Sequence, residues 1–167
     1  MLVDSLIVPQ CVYRPGTFTG LMSLYESNYI KLRQLGTELE WSADAVVSAP
    51  IRDHALHAEI LRREPYTTTL RLTYWLSEDG GAVVPEPDLV LRIYHDARLV
   101  EAVSCAESLR HAKLRELARD SHTELGRRWQ LNMLLNKWLD YLFEVGHSLE
   151  GLSSRSVNRA ERPGSSI

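Results

Sequence analysis

Between Trp41 and Ser104 the apolar side chains of this chain recur at every second position, a period that belongs to strands. Leu56, Ala58 and Ile60 alternate with His57, Glu59 and Leu61. Thr68, Leu70, Leu72, Tyr74 and Leu76 alternate with Thr69, Arg71, Thr73 and Trp75, and Leu89, Leu91 and Ile93 with Val90, Arg92 and Tyr94. Each run is apolar on one face only, so the pattern predicts antiparallel strands with one face on a core. Pro65 lies between the first two runs, and His95-Asp96-Ala97-Arg98 leads into a run over Leu99–Ser104. Links this short join antiparallel hairpins, because a parallel crossover needs a dozen residues or more. A shorter strand is expected over Ala45–Ser48. Ser77–Pro87 contains Gly80, Gly81, Pro85 and Pro87 with Glu78, Asp79 and Glu86, which reads as an acidic, mobile loop.

Helical periods flank the alternation. Leu21, Leu24, Tyr25, Asn28, Leu32 and Leu35 share one face of a helix that Thr17 or Thr19 caps and Gly36 ends in a left-handed turn, with Glu26, Lys31 and Arg33 facing solvent. Ser104–Glu107 and Ser121–Glu124 both have capping-box spacing. The first opens a short helix through Leu109, Leu114 and Leu117. The second opens a long helix with Leu131, Leu134, Leu135, Trp138, Leu142 and Val145 on one stripe, ending near Gly146. The expected architecture is α+β: an N-terminal helix, an antiparallel meander of four to five strands, and one or two C-terminal helices packed on one sheet face. Residues 1–16 read as an irregular leader, 17–147 as one domain, and 148–167 as a polar, disordered tail.

Composition narrows the function classes. A chain of 167 residues with a net charge of −3 fits one ordinary domain and excludes a strongly basic nucleic-acid coat. Cys11 and Cys105 stand far apart, which speaks against a zinc site and a disulfide framework and for reduced thiols. Asp4 stands where a signal peptide needs positive charge, and no apolar run reaches membrane-span length. The expected setting is the cytoplasm, without a membrane.

Six residues stand out as candidate binding groups: Arg71, Trp75, Arg92, Tyr94, His95 and Asp96. Arg71, Arg92, Trp75 and Tyr94 fall on the polar side of the alternation, with His57 and Glu59 available beside them. Arginine forks next to aromatic rings suit a phosphate, carboxylate or nucleotide, and Trp75 suits a protein partner. The same positions also fit a solvated face with cross-strand pairs. His95-Asp96 suggests a metal-dependent hydrolase, but neighbours on a strand point to opposite faces, and a turn in which Asp96 bonds backbone donors explains the pair as well. His54 and His57 diverge on a strand for the same reason. Residues 110–128 hold six basic and three acidic groups, a modest patch that a solvated helix face also explains. No GxGxxG, P-loop, GxSxG or HExxH pattern is present, so no catalytic residue, metal or cofactor is assigned.

Three stretches resemble the YqiB-like family of small proteobacterial proteins, a domain of unknown function (number 1249). They are Leu21–Leu35 with its Glu26-Ser27-Asn28-Tyr29 core, Tyr66-Thr67-Thr68 with Leu91–Ala97, and Asn132–Gly146 with Trp138 and Leu139. The segment between Lys113 and Arg128 departs from the family pattern. The resemblance implies an α+β fold and a cytoplasmic protein, and supplies no mechanism. The reading that follows is a non-enzymatic binding or adaptor domain that takes a protein partner or a small anionic ligand. A nucleotide-related hydrolase using His95 and Asp96 is the alternative, and nucleic-acid binding through 110–128 is disfavoured.

Overall fold

A computed structural model of the chain describes residues 16–36, 43–77, 80–105 and 123–150. Helix α1 spans Phe18–Leu35, and Thr17 caps it by accepting the Gly20 N–H at 3.1 Å. Five strands follow: β1 (Ala45–Ser48), β2 (Leu56–Arg63), β3 (Thr67–Ser77), β4 (Val83–Tyr94) and β5 (Leu99–Cys105). Helix α2 spans Glu124–Glu144. The strands form one sheet in the order β1-β2-β3-β4-β5, each neighbour antiparallel. This is the α+β meander that the alternation predicts, with one described C-terminal helix packed against α1 and the sheet.

The core forms where the two periods meet. Leu56, Ala58, Leu70, Leu72, Leu89, Leu91, Ile93 and Val100 turn to one face, and Leu32 and Leu35 of α1 with Leu135, Leu139 and Leu142 of α2 lie against them. Burying each such leucine stabilises the fold by about 1.5–3 kcal/mol. A smaller cluster of Leu21, Leu24 and Tyr25 meets Leu125, Trp129 and Met133 at the start of α2. Contacts advance together along both helices, so the two run parallel.

Between the helices lies a polar seam that the hydrophobic pattern does not reveal. Asn132 of α2 is fully buried. Its Oδ1 accepts the Ala102 N–H at 2.7 Å, and its Nδ2 reaches the Ala102 carbonyl at 3.4 Å. Asn28 of α1 donates to the Val100 carbonyl and to Asn132 Oδ1, both at 3.3 Å. β5 is a sheet edge, and these amides occupy the backbone groups that a further strand would take. Asn136 continues the seam by donating to Ser27 Oγ at 2.9 Å and Asn28 Oδ1 at 3.0 Å.

Several expectations shift for identifiable reasons. Lys31, expected in solvent, is buried, because its ammonium reaches across to Asn136 Oδ1 at 2.7 Å and Asp140 Oδ2 at 2.6 Å. Gly36 is extended (φ −152°), not left-handed, because the chain leaves α1 directly. The cap of α2 is Thr123, which accepts the Gly126 N–H at 3.0 Å, so Glu124 opens the helix instead of closing a capping box. Ser104 is still in β5, and the short helix expected from there falls on 106–122, outside the described residues. Gly146 does take the left-handed turn (φ 92°) after α2.

Ser77–Pro87, expected to be a loop throughout, contains the end of β3 and the first part of β4. Among the described residues β5 pairs with β4 only from Leu89 onward, so Pro85 and Pro87 face no described strand on that side and give up no described ladder bond there. Packing also continues past residue 147. Leu149 is buried, and its N–H donates to the Leu35 carbonyl at 2.6 Å. Residues 1–15 and 151–167, with the leader and most of the tail, lie outside the described residues. So does Cys11.

Asn132→Ala removes the side chain that meets both backbone groups of Ala102 and leaves a buried N–H without that partner. We expect a loss of about 2–4 kcal/mol in unfolding free energy by urea denaturation, against less than about 0.5 kcal/mol for exposed Lys137→Ala.

Candidate functional site

The helices cover one face of the sheet; on the other, they reach only the β5 edge, where Leu99 meets α1 and Arg92 and Glu101 face the first turns of α2. Arg71, Trp75, Arg92 and Tyr94 all project from the uncovered face, as their alternation predicts. His57 and Glu59 join them from β2.

They do not form one site. Arg71 is already engaged: its Nε and Nη2 each donate to one oxygen of Asp88 at 2.7 Å, and Thr73 Oγ1 donates to Asp88 Oδ1 at 2.6 Å. The bond to Asp88 raises the Arg71 pKa. Burial alone would raise Asp88, but Arg71 and Thr73 outweigh it and hold the carboxyl below its usual range. Thr73 faces Asp88 in the β3–β4 register, so the cluster is a cross-strand brace. Sequence reasoning missed Asp88 because the two prolines before it argued for a loop.

Trp75 stands beyond this brace. It is 42% exposed and shares a small hollow of about 150 Å³ with Val47, His57, Glu59, Arg71 and Thr73. The His57 ring meets it edge-on at 6.4 Å between centroids. Burial lowers the His57 pKa, which favours the neutral ring.

Arg92 and Tyr94 belong to a different opening. They line a cleft of about 550 Å³ with Glu101 and Val103 of β5 and with Glu124, Arg127, Arg128 and Leu131 of α2. Tyr94 Oη donates to Glu101 Oε1, and Arg92 Nη1 lies 3.9 Å from the same oxygen. The neighbouring Tyr94 raises the Arg92 pKa, while burial and then Glu101 raise that of Tyr94. On the helix side, Arg128 Nε donates to Glu124 Oε1 at 3.0 Å, and Arg127 Nη2 lies 3.8 Å from Glu124 Oε2. Arg127 and Arg128 are the described end of the basic stretch 110–128.

His95 and Asp96 separate. His95 Nε2 is bonded to Thr68 Oγ1 at 2.8 Å on the helix side of the sheet, and its N–H donates to the Tyr66 carbonyl at 3.0 Å. Asp96 is exposed in the turn that ends at Arg98 (φ 54°). Among the described residues, no group of three or more His, Cys, Asp or Glu is placed to hold a metal ion. No described helix is long and apolar enough to cross a membrane.

The profile of one family, described as "Protein of unknown function (DUF1249)", matches residues 31–148. The chain belongs to the DUF1249 family. Comparison with curated proteins and with solved structures returned no match. The DUF1249 match takes in all five strands and α2, and it begins inside α1 at Lys31.

The DUF1249 segment ends just beyond His147, the centre of a polar cluster that sequence reading did not single out. His147 Nε2 bonds Asp53 Oδ2 at 2.9 Å, and His147 Nδ1 bonds Ser48 Oγ at 3.1 Å. Tyr74 Oη donates to Asp53 Oδ2, and Tyr141 Oη to Asp53 Oδ1 at 3.1 Å. Asp53 can only accept when ionised, so Nε2 carries the ring proton, and in the neutral ring Nδ1 then accepts from Ser48. The order serine, histidine, aspartate is that of a nucleophile relay. Here, however, the imidazole has 0% side-chain exposure, and Ser48 Oγ also accepts the Ser148 N–H at 3.0 Å. The cluster therefore clasps the chain after α2 onto β1 and the β1–β2 link. Its members come from three stretches far apart in sequence (48–53, 74 and 141–147), so no local spacing announces it.

Burial would raise the Asp53 pKa, but hydrogen bonds from Tyr74, His147, the His54 backbone and Tyr141 hold it below its usual value. A depressed folded pKa gives stability that is present above the unfolded value and lost as pH falls through the folded one. We therefore expect acid denaturation to set in below about pH 4, with a flatter acid limb in Asp53→Asn. An unchanged limb in fluorescence-monitored acid titration would contradict this account. Arg71→Ala strands the Asp88 carboxylate, and we expect thermal and urea unfolding to show a loss of about 1–3 kcal/mol.

Proposed function

We propose that this DUF1249 protein is a non-catalytic binding domain that presents the uncovered sheet face to a protein partner, with Trp75 as anchor. The observation that carries the reading is the exposure of Trp75 and its neighbour Val47 (51%) beside the rigid Arg71–Asp88–Thr73 brace. An aromatic side chain in a shallow hollow, ordered by its surroundings, loses little freedom on docking, and such anchors dominate interface energies. The brace suits recognition in a second way: a paired, fixed charge sets the register of a partner without having to be reorganised. A cytoplasmic setting is part of this reading, supported by the two widely separated cysteines.

The test compares the wild-type chain with Trp75→Ala as immobilised bait in native lysate, with bound proteins identified by mass spectrometry. Trp75 is partly exposed and outside the core, so the variant keeps the fold, which circular dichroism checks. A specific protein retained by the wild type and depleted at least about tenfold by the variant is the expected result. Equal recovery by both baits, or none above a blank matrix, overturns the reading.

A further inference from the structure

We infer that the cleft between β4–β5 and the first turns of α2 is a binding site for a small phosphorylated ligand, specifically a single phosphate monoester group. This goes beyond the partner-binding reading and stands on different residues. Three guanidinium groups, Arg92 from the sheet and Arg127 and Arg128 from the helix, line one opening of about 550 Å³. That volume is within the range of small-molecule sites. Because the cations stand on two walls, they can donate to a tetrahedral group from different directions, whereas a planar carboxylate accepts in one plane.

The acidic residues of the cleft define the ligand further. Glu124 is 67% exposed, and its pairings with Arg127 and Arg128 lie within one turn of helix. Exposed pairs of this kind contribute about 0–1 kcal/mol, so an entering dianion displaces the carboxylate at little cost. Glu101 differs. Only 11% of its side chain is exposed, and it is held by Tyr94. It remains as a fixed negative charge on the sheet wall, which disfavours a second phosphate and therefore polyphosphates and nucleic-acid strands.

A second observation stands beside Glu101 and Arg128. The Tyr25 side chain is buried at 4% exposure, and its hydroxyl makes no hydrogen bond of ordinary geometry. Burial first, and then Glu101, push its pKa up to about 12, so the hydroxyl stays protonated. The hydroxyl lies beside Glu101 of the sheet wall and Arg128 of the helix wall, close to both without a well-formed bond to either.

The probes are inorganic phosphate and glycerol 3-phosphate, titrated into the full chain by calorimetry with phosphorus NMR line broadening as a second readout. We expect saturable one-to-one binding of the monoester, weakened about tenfold or more by Arg92→Ala and by Arg127→Ala. Arg62→Ala, an exposed arginine on β2 outside the cleft, leaves it unchanged. No saturable binding by the wild type, or equal affinity in the cleft variants, overturns the inference. So does binding of a single-stranded oligonucleotide when neither phosphate probe binds. Neither probe involves Trp75, so failure here and failure of partner capture are separate results.

Discussion

The Ala102 backbone at the open edge of β5 is the point on which the rest of the architecture turns. A sheet edge exposes N–H and C=O groups that must be paired or left in water. Here Asn132 meets both groups of Ala102, and Asn28 takes the carbonyl of Val100. One residue comes from the helix before the sheet and one from the helix after it. Closing the edge therefore also fixes how the two helices lie on the sheet and against each other. Leucine packing alone holds helices with less angular definition, because apolar contacts are not directional. The amide seam supplies direction, and Lys31 between Asn136 and Asp140 extends it.

Placing α2 in this way has a consequence at its first turn. Arg127 and Arg128, which in isolation would be ordinary solvated charges, are brought opposite Arg92 and Tyr94. The cleft is thus a product of the same docking that closes the sheet edge. At the other margin, His147 and Asp53 fasten the chain after α2 to β1. Asn132 ties α2 to the sheet edge and His147 ties the chain after it to β1, while apolar contacts hold the rest of the helix.

The sheet was legible in the sequence because alternation is a local property. A strand with one buried face must place apolar groups at every second residue, so the faces of Leu70, Arg71, Leu72 and Thr73 follow without knowledge of any partner. The first half of β4 was not legible. Pro85 and Pro87 disfavour a strand with neighbours on both sides, and only the sheet shows that the described part of β5 meets β4 from Leu89 onward. Lys31 was misplaced for a similar reason, since a lysine on a helix faces water unless a specific acceptor lies across from it. The candidate residues were placed on the correct face, but face membership does not say which of them meet. Arg71 turned to Asp88, His95 to Thr68, and Arg92 to Tyr94 and Glu101 in a cleft that α2 completes.

What the sequence determined by itself is the order of the described elements, the apolar face of each that goes inward, and the turns that join β2 to β3 and β4 to β5. Each is set by periods of two or about 3.6 residues and by local backbone preferences, which act over a few neighbours. The tertiary structure alone decided the amide closure of β5, the Ser48–His147–Asp53 clasp and the convergence of three arginines on one cleft. Those depend on which distant segments come to lie side by side, and hydrogen bonds and charge pairs act only at contact distance. A sequence shows that such groups exist; the packing of α1 and α2 on the sheet chooses their partners.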